Sequence, residues 1–467
     1  MGLYQMSTSI LGIFMTIIAS GIPLTTAKLV SKYETNNELK KRNKAVTAAL
    51  IISITLSVAT SIFILVLKQF WNVVLTDIRA VEILLILTPS ILFSAIYAVF
   101  RGALWGQHDF FNCGLTELIE QVIRFALTFI MLNSIPDYFI ATKNSAIAFN
   151  ITCLISAIIT IIIYFQRGKL NFSKGEYKNV VKSALPVTGV RVANSLVQPL
   201  ITLIIPNMLM LIGYSSEEAI ASFGVIMGMT FPMLFVPMAV IGSISMVLIP
   251  SISAMMAKND YKNIEANITK SSEIAVFISM IFIPLYLSVG DLIGIVLFNN
   301  EFSGILLQLS AVCVLPITLC NLTGSILNAL NLEVKSFVNY LIGSLVLFVG
   351  LFAFTPIAGI NSIIISFFLS MTTISMLNFI KIKKSIPNYK FSIISTSFKY
   401  SLIVLPCSLL GHFISNICLH ILPNFISGLI GGGICLLFTI LLCHYFRLYN
   451  LKQLLDIVRR KQEPKTE

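Results

Sequence analysis

Charge is what this sequence has least of. Charged residues make up 11% of its 467 residues and hydrophobic ones 57%, about half the charged share of a soluble domain. Of 32 Lys and Arg residues, only Arg124 and Arg191 fall inside long apolar stretches. The eight cysteines form no CxxC pair, so they read as small buried hydrophobes rather than disulfides or metal ligands. The four histidines lie far apart, and no metal site is expected. No GxxxxGKS/T loop is present, which excludes an on-chain nucleotide motor. No Ser/His/Asp arrangement sits in a loop large enough for an active site, so neither an enzyme nor a cofactor is expected. A TVGYG-like filter is also missing, which argues against a channel. The net charge of +12 is scattered over loops. It therefore suits topogenic signalling and membrane lipid headgroups better than nucleic acid, which is not an expected partner.

What the chain has instead is apolar stretches. Crossing hydrocarbon takes about 20 apolar residues. On that measure about thirteen spans are expected, near residues 6–30, 44–68, 81–100, 114–134, 143–165, 184–209, 219–249, 272–298, 303–328, 336–355, 357–380, 397–418 and 423–446. The expected fold class is an all-α polytopic membrane protein. The loops 31–43, 166–182, 257–271 and 381–396 and the tail from Arg447 are basic. Basic loops stay on the cytoplasmic side during insertion, so the chain is expected in the cytoplasmic membrane with Met1 outside and the C-terminus inside. Lys68, Arg79 and Lys143 sit in the intervening loops. The tail segment Leu451–Lys461 reads as a basic amphipathic helix on the inner leaflet or as a solvated topogenic tail.

An internal repeat accounts for the odd number of spans. Gly21-Ile-Pro-Leu-Thr-Thr-Ala-Lys-Leu-Val-Ser-Lys32 ends one span and opens a basic loop, and Leu248-Ile-Pro-Ser-Ile-Ser-Ala-Met-Met-Ala-Lys258 does the same later. Arg101-Gly-Ala-Leu-Trp-Gly follows the first at nearly the interval at which Thr323-Gly-Ser-Ile-Leu-Asn-Ala follows the second. Parallel repeats of this kind mark transporter halves. The second copy has a full span before its proline-bearing one and the first does not, so a span is expected before Met1, with a mis-assigned start favoured over truncation. The expected domains are an N-terminal lobe over 1–165, a cytoplasmic linker over 166–182 and a C-terminal lobe over 183–382. Two extra helices over 383–446 and a basic tail over 447–467 follow.

The intramembrane polar residues are the candidates for binding. In Gly114-Leu-Thr-Glu-Leu-Ile-Glu-Gln-Val-Ile-Arg124, the residues Glu117, Glu120, Gln121 and Arg124 are spaced by three and four, which puts them on one helix face. Either Glu120 and Arg124 neutralise each other and hold the helix to a neighbour, or the face lines a hydrated cavity and offers Arg124 to an anionic headgroup. Arg191, Asn194 and Gln198 repeat the spacing with no acid nearby in sequence. A guanidinium grips a phosphate in a bidentate fork that Lys cannot form. Arg191 therefore reads as a headgroup ligand or as a snorkelling side chain. Arg101 and Lys28, at cytoplasmic helix ends, read as gate residues or interfacial anchors.

Gly2-Leu-Tyr-Gln-Met6, the SGIPLTTAKLVSK stretch, Arg101-Gly, Glu120-Gln-Val-Ile-Arg124, Glu218-Ala219 through Phe223-Gly224 and Leu248-Ile-Pro-Ser-Ile-Ser occur in an order that resembles the stage V sporulation protein B family. That family lies in the polysaccharide-transporter branch of the multidrug/oligosaccharidyl-lipid/polysaccharide exporters. The resemblance covers essentially the whole chain. It implies two six-span lobes around a central cavity with two further C-terminal spans, a fourteen-helix fold of which the first helix is lacking here. It also implies flipping of undecaprenyl-linked saccharides by alternating access. Members often carry an acid near Ile201–Thr202, and this chain has none there.

The leading functional expectation is a flippase for an undecaprenyl-linked oligosaccharide or a peptidoglycan precursor, with the lipid-linked saccharide diphosphate and membrane lipids as partners. A cation-coupled multidrug antiporter of the same fold is the alternative, and it would need an anionic, aromatic cavity. A third class is a non-transporting scaffold whose partners are envelope-synthesis enzymes.

Overall fold

The computed structural model of the chain describes residues 2–446 apart from 20, 76, 108, 133–136, 173–175, 182, 183, 185–187, 189–191, 193, 194, 258, 259, 331 and 387–392. Every regular element among the described residues is helical. That outcome follows from the composition, because a backbone in hydrocarbon must satisfy its own hydrogen bonds, and helices do so within one segment. By packing the chain forms two compact units, Met1–Gly224 and Val225–Glu467.

The first unit contains α1 (Gly2–Ala19), α2 (Gly21–Thr35), α3 (Leu39–Val66), α4 (Lys68–Val74), α5 (Ile78–Leu87), α6 (Pro89–Gly106), α7 (Phe110–Leu132), α8 (Tyr138–Arg167), α9 (Val197–Leu211) and α10 (Ser216–Val225). Its centre is the meeting of α2, α3, α6 and α8, where Val30, Ala45, Val46, Phe100, Ala103 and Tyr164 are buried. The two motifs that suggested a repeat touch each other there. A Cβ on Gly102 would lie 2.4 Å from the Pro23 carbonyl oxygen, and one on Gly106 would lie 2.6 Å from that of Ala27. Helices in a membrane gain little from excluding water and associate through close backbone approach at such small residues. The expected loop 31–43 is mostly helical, since α2 runs to Thr35 and α3 starts at Leu39. Arg42 is buried in it and binds Glu34 at 2.8 Å.

The second unit begins with a π turn (Ile226–Thr230) and continues with α11 (Phe231–Leu234), α12 (Val236–Ala257), α13 (Tyr261–Phe298), α14 (Glu301–Ser310), a 3-10 turn (Ala311–Cys313), α15 (Val314–Ala329), α16 (Glu333–Ala358), α17 (Asn361–Ser385), α18 (Ile393–Leu419) and α19 (Asn424–Tyr445). The repeat is visible in the internal plan of each unit. In the first, Asp77 caps a ten-residue helix, α5, which bends by 41° into the proline-led α6. In the second, Asn300 caps a ten-residue helix, α14, followed by the 3-10 turn and α15 with Pro316. The helix carrying Pro23 packs on α6, and the helix carrying Pro250 packs on α15.

Among the described residues, nine helical regions are long and apolar enough to cross a membrane, and eleven if the bent pairs α5–α6 and α10–α12 each count once. The other two expected spans fall on α7 and α9. The first carries Glu117, Glu120 and Arg124, and most of the start of the second expected span, 184–209, lies outside the described residues, where α9 covers its last part. Among the described residues, eleven regions therefore meet the criterion by length and composition, short of the thirteen expected. Lys143, expected in a loop, lies inside α8 and binds Glu82 at 2.6 Å.

Candidate functional site: an arginine–glutamate ladder on α7

Helix α7 has an exposed apolar side and a polar side, set by the 3.6-residue period. Phe111, Leu118, Val122, Phe125 and Phe129 form the exposed apolar stripe. Glu117, Glu120, Gln121 and Arg124 lie roughly 75–175° around the helix from it, with Glu120 nearly opposite. The helix is held mainly by α8 and to a lesser extent by α6, and its start is organised by Asp109, whose carboxylate accepts from the Asn112 side chain at 2.8 Å.

The polar side holds two ion pairs. Arg124 binds Glu120 within α7, as the spacing predicts, and Arg101 at the end of α6 binds Glu117. The second pairing ties a residue expected at a gate to the expected binding stripe. Tyr97 lies near Arg101, Glu117 and Glu120. Each guanidinium rests on an aromatic ring. Arg101 is 4.8 Å from the Trp105 centroid and 6.0 Å from that of Tyr97, and Arg124 is 5.0 Å from that of Phe149. Cation–π contact and ion pairing both lower the cost of holding charge away from water. Both arginine side chains remain one-third exposed, and the Nε of each is buried with no partner among the described residues.

Asn150 and Cys153 on α8 complete the surroundings. The Asn150 amide donates to the Ile86 carbonyl at the α5–α6 bend at 2.5 Å, and Cys153 meets Ser94 at 3.5 Å. Tyr4 on α1 interacts electrostatically with Arg124. Of the other expected residues, Gln121 and Gln198 are exposed on α7 and α9, and Lys28 is exposed on α2. Arg191 and Asn194 lie outside the described residues. The sequence reading missed Tyr97, Trp105, Phe149 and Asn150. Tyr97 and Trp105 stand four residues either side of Arg101, a spacing that signals contact on a helix, whereas Phe149 and Asn150 come from a different helix.

Residues 1–256 match the family described as polysaccharide biosynthesis protein. Stage V sporulation protein B of Bacillus subtilis is 22% identical over 401 residues, covering 83% of this chain and 77% of that protein. An inward-facing multidrug resistance MATE family transporter of the MOP superfamily superposes with a TM-score of 0.68 at 14% identity, over 82% of this chain and 92% of its own. A MOP superfamily transporter from Pyrococcus furiosus, reported to have a binding pocket of reversed polarity, gives 0.62 at 13%, over 84% and 89%. A MATE transporter of Vibrio cholerae in its bent form gives 0.59 at 14%, over 83% and 89%. Structural likeness at such identities carries the fold. This chain is a multi-pass membrane protein that belongs to the polysaccharide biosynthesis protein family and has the MATE-type transporter fold.

Proposed function

We propose that the protein is a flippase for a lipid-linked saccharide diphosphate and that the α7 ladder holds the diphosphate. The observation that carries this reading is the pair of half-exposed arginines, one on α6 and one on α7, that meet the same acidic face in a polysaccharide-biosynthesis family member. An isolated charge in hydrocarbon costs on the order of tens of kcal/mol, so a saccharide diphosphate crosses only where polar groups replace its water. Arg124 exchanges its Glu120 partner for a phosphate oxygen pair, and Arg101 does the same with Glu117. Each guanidinium keeps its aromatic shelf during the exchange. Gln121 donates to sugar hydroxyls, and on the sequence argument Arg191, Asn194 and Gln198 supply the second half of the site. The lipid tail stays in the bilayer, and alternating access carries the head across.

One observation favours a second reading. Glu117 and Glu120 stand beside Tyr97, Trp105 and Phe149, a pattern that also suits an organic cation, and the MATE-type fold accommodates that cargo class. Binding separates the two. In nanodiscs, the flippase reading predicts saturable retention of a fluorescent undecaprenyl-diphosphate saccharide that inorganic diphosphate competes away and Arg124→Ala weakens at least tenfold. Retention of tetraphenylphosphonium instead, weakened by Glu120→Gln, would support the cation exporter.

A further inference from the structure

The second unit contains two breaks in its long helices that sequence spacing does not pair, and α13 touches both. The first is the 46° bend between α11 and α12. Pro237 has no N–H, so the Met233 carbonyl cannot receive its usual bond from the residue four ahead. Tyr286 on α13 donates its hydroxyl to that carbonyl at 2.6 Å. The second break is in α13 itself, where Val289 is non-helical at φ −129° and ψ 16°. The Leu292 N–H, which would bond the Ser288 carbonyl in an unbroken helix, bonds the Asp291 carboxylate at 2.8 Å. The Ser288 carbonyl faces His412 Nδ1 on α18 at 3.1 Å.

A carbonyl only accepts, so His412 carries its proton on Nδ1 and donates. Its Nε2 then accepts from the Asn416 amide at 3.1 Å. One neutral tautomer satisfies both contacts. The hairpin α18–α19 also makes its closest approach here. A Cβ on Gly411 would lie 2.9 Å from Ser288 Cβ, and one on Gly432 would lie 3.1 Å from Leu285 Cδ1. Beyond the break, α13 is locked to α14, where a Cβ on Gly294 would lie 2.3 Å from the Gly304 backbone nitrogen.

We propose that the C-terminal hairpin α18–α19 is a brace that sets the break in α13, with His412 replacing the lost helical bond at Ser288, and that Tyr286 transmits this setting to the α11–α12 bend. The hairpin thus acts on helix shape rather than on cargo, and the inference does not depend on the identity of the substrate. His412 and Tyr286 are positioning residues.

Hydrogen exchange on the full-length protein in nanodiscs tests this, read by mass spectrometry over residues 286–296 and 231–238. Loss of one hydrogen bond corresponds to about fivefold in opening. His412→Ala is expected to accelerate exchange about fivefold in both segments. His412→Asn, which keeps an amide donor near the Nδ1 position, is expected to restore the slow rate. Tyr286→Phe is expected to accelerate 231–238 and leave 286–296 unchanged, and it gives the answer if His412→Ala does not fold. Unchanged exchange at 231–238 in both His412→Ala and Tyr286→Phe, or failure of His412→Asn to restore protection, would overturn the proposal.

Discussion

Glu120 and Glu117 make the same kind of bond to arginine in different surroundings. The Glu120 side chain is 14% exposed and that of Glu117 is 43% exposed. Removing one partner of a shielded pair strands a charge, whereas a pair open to solvent contributes little. Glu120→Ala is therefore expected to destabilise the protein by about 1–3 kcal/mol, and Glu117→Ala by about 1 kcal/mol or less. Thermal unfolding in detergent checks the order. Arg124→Lys keeps the charge but loses the planar fork that stacks on Phe149 and grips phosphate, so binding of the diphosphate is expected to fall about as far as in Arg124→Ala. Residue spacing made the Glu120–Arg124 pair legible in advance. It assigned Glu117 to the same face but could not show that Glu117 bonds Arg101, because that contact depends on how α6 ends against α7.

At the scale of elements, close backbone approach decides which helices pair. Gly102 lies under the Pro23 carbonyl, a backbone neighbour that cannot rotate away. Gly102→Leu is expected to separate α2 from α6 and lower stability by about 1–3 kcal/mol or more, which a shift in unfolding temperature measures, while Gly114→Leu, with nothing within 4 Å of its Cβ, has little effect. The segment after α8 is held by a different bond. Glu176 is buried and accepts from the Tyr33 hydroxyl at 2.8 Å and from the Asn179 amide at 3.0 Å. Tyr33→Phe leaves that carboxylate one donor short and is expected to cost about 1–3 kcal/mol, seen as faster exchange over residues 176–181. The bends ahead of α6 and α12 fall at prolines, Pro89 and Pro237, which lack the N–H that a continuous helix needs. The π turn at Ile226–Thr230 gave no local signal, since an extra residue in the ladder makes it.

For the whole molecule, the scarcity of charge and its confinement to alternate loops were enough to predict an all-helical membrane protein, and the structure agrees. The number of spans was harder to read. The charged α7 is the helix on which hydropathy and function conflict. A span that carries two ion pairs is a poor lipid-facing helix, and its cost is offset if the pairs serve a cargo that needs charge. The most direct measurement of that idea is translocation in proteoliposomes. It uses a fluorescent undecaprenyl-diphosphate saccharide and a quencher confined to the outside, comparing the protein as it stands with Arg124→Ala and Arg101→Ala. The flippase account predicts protein-dependent loss of the protected fluorescence, slowed at least tenfold by Arg124→Ala. Equal rates in protein-bearing and empty vesicles, with folding confirmed, or a rate unaffected by both substitutions, would contradict it.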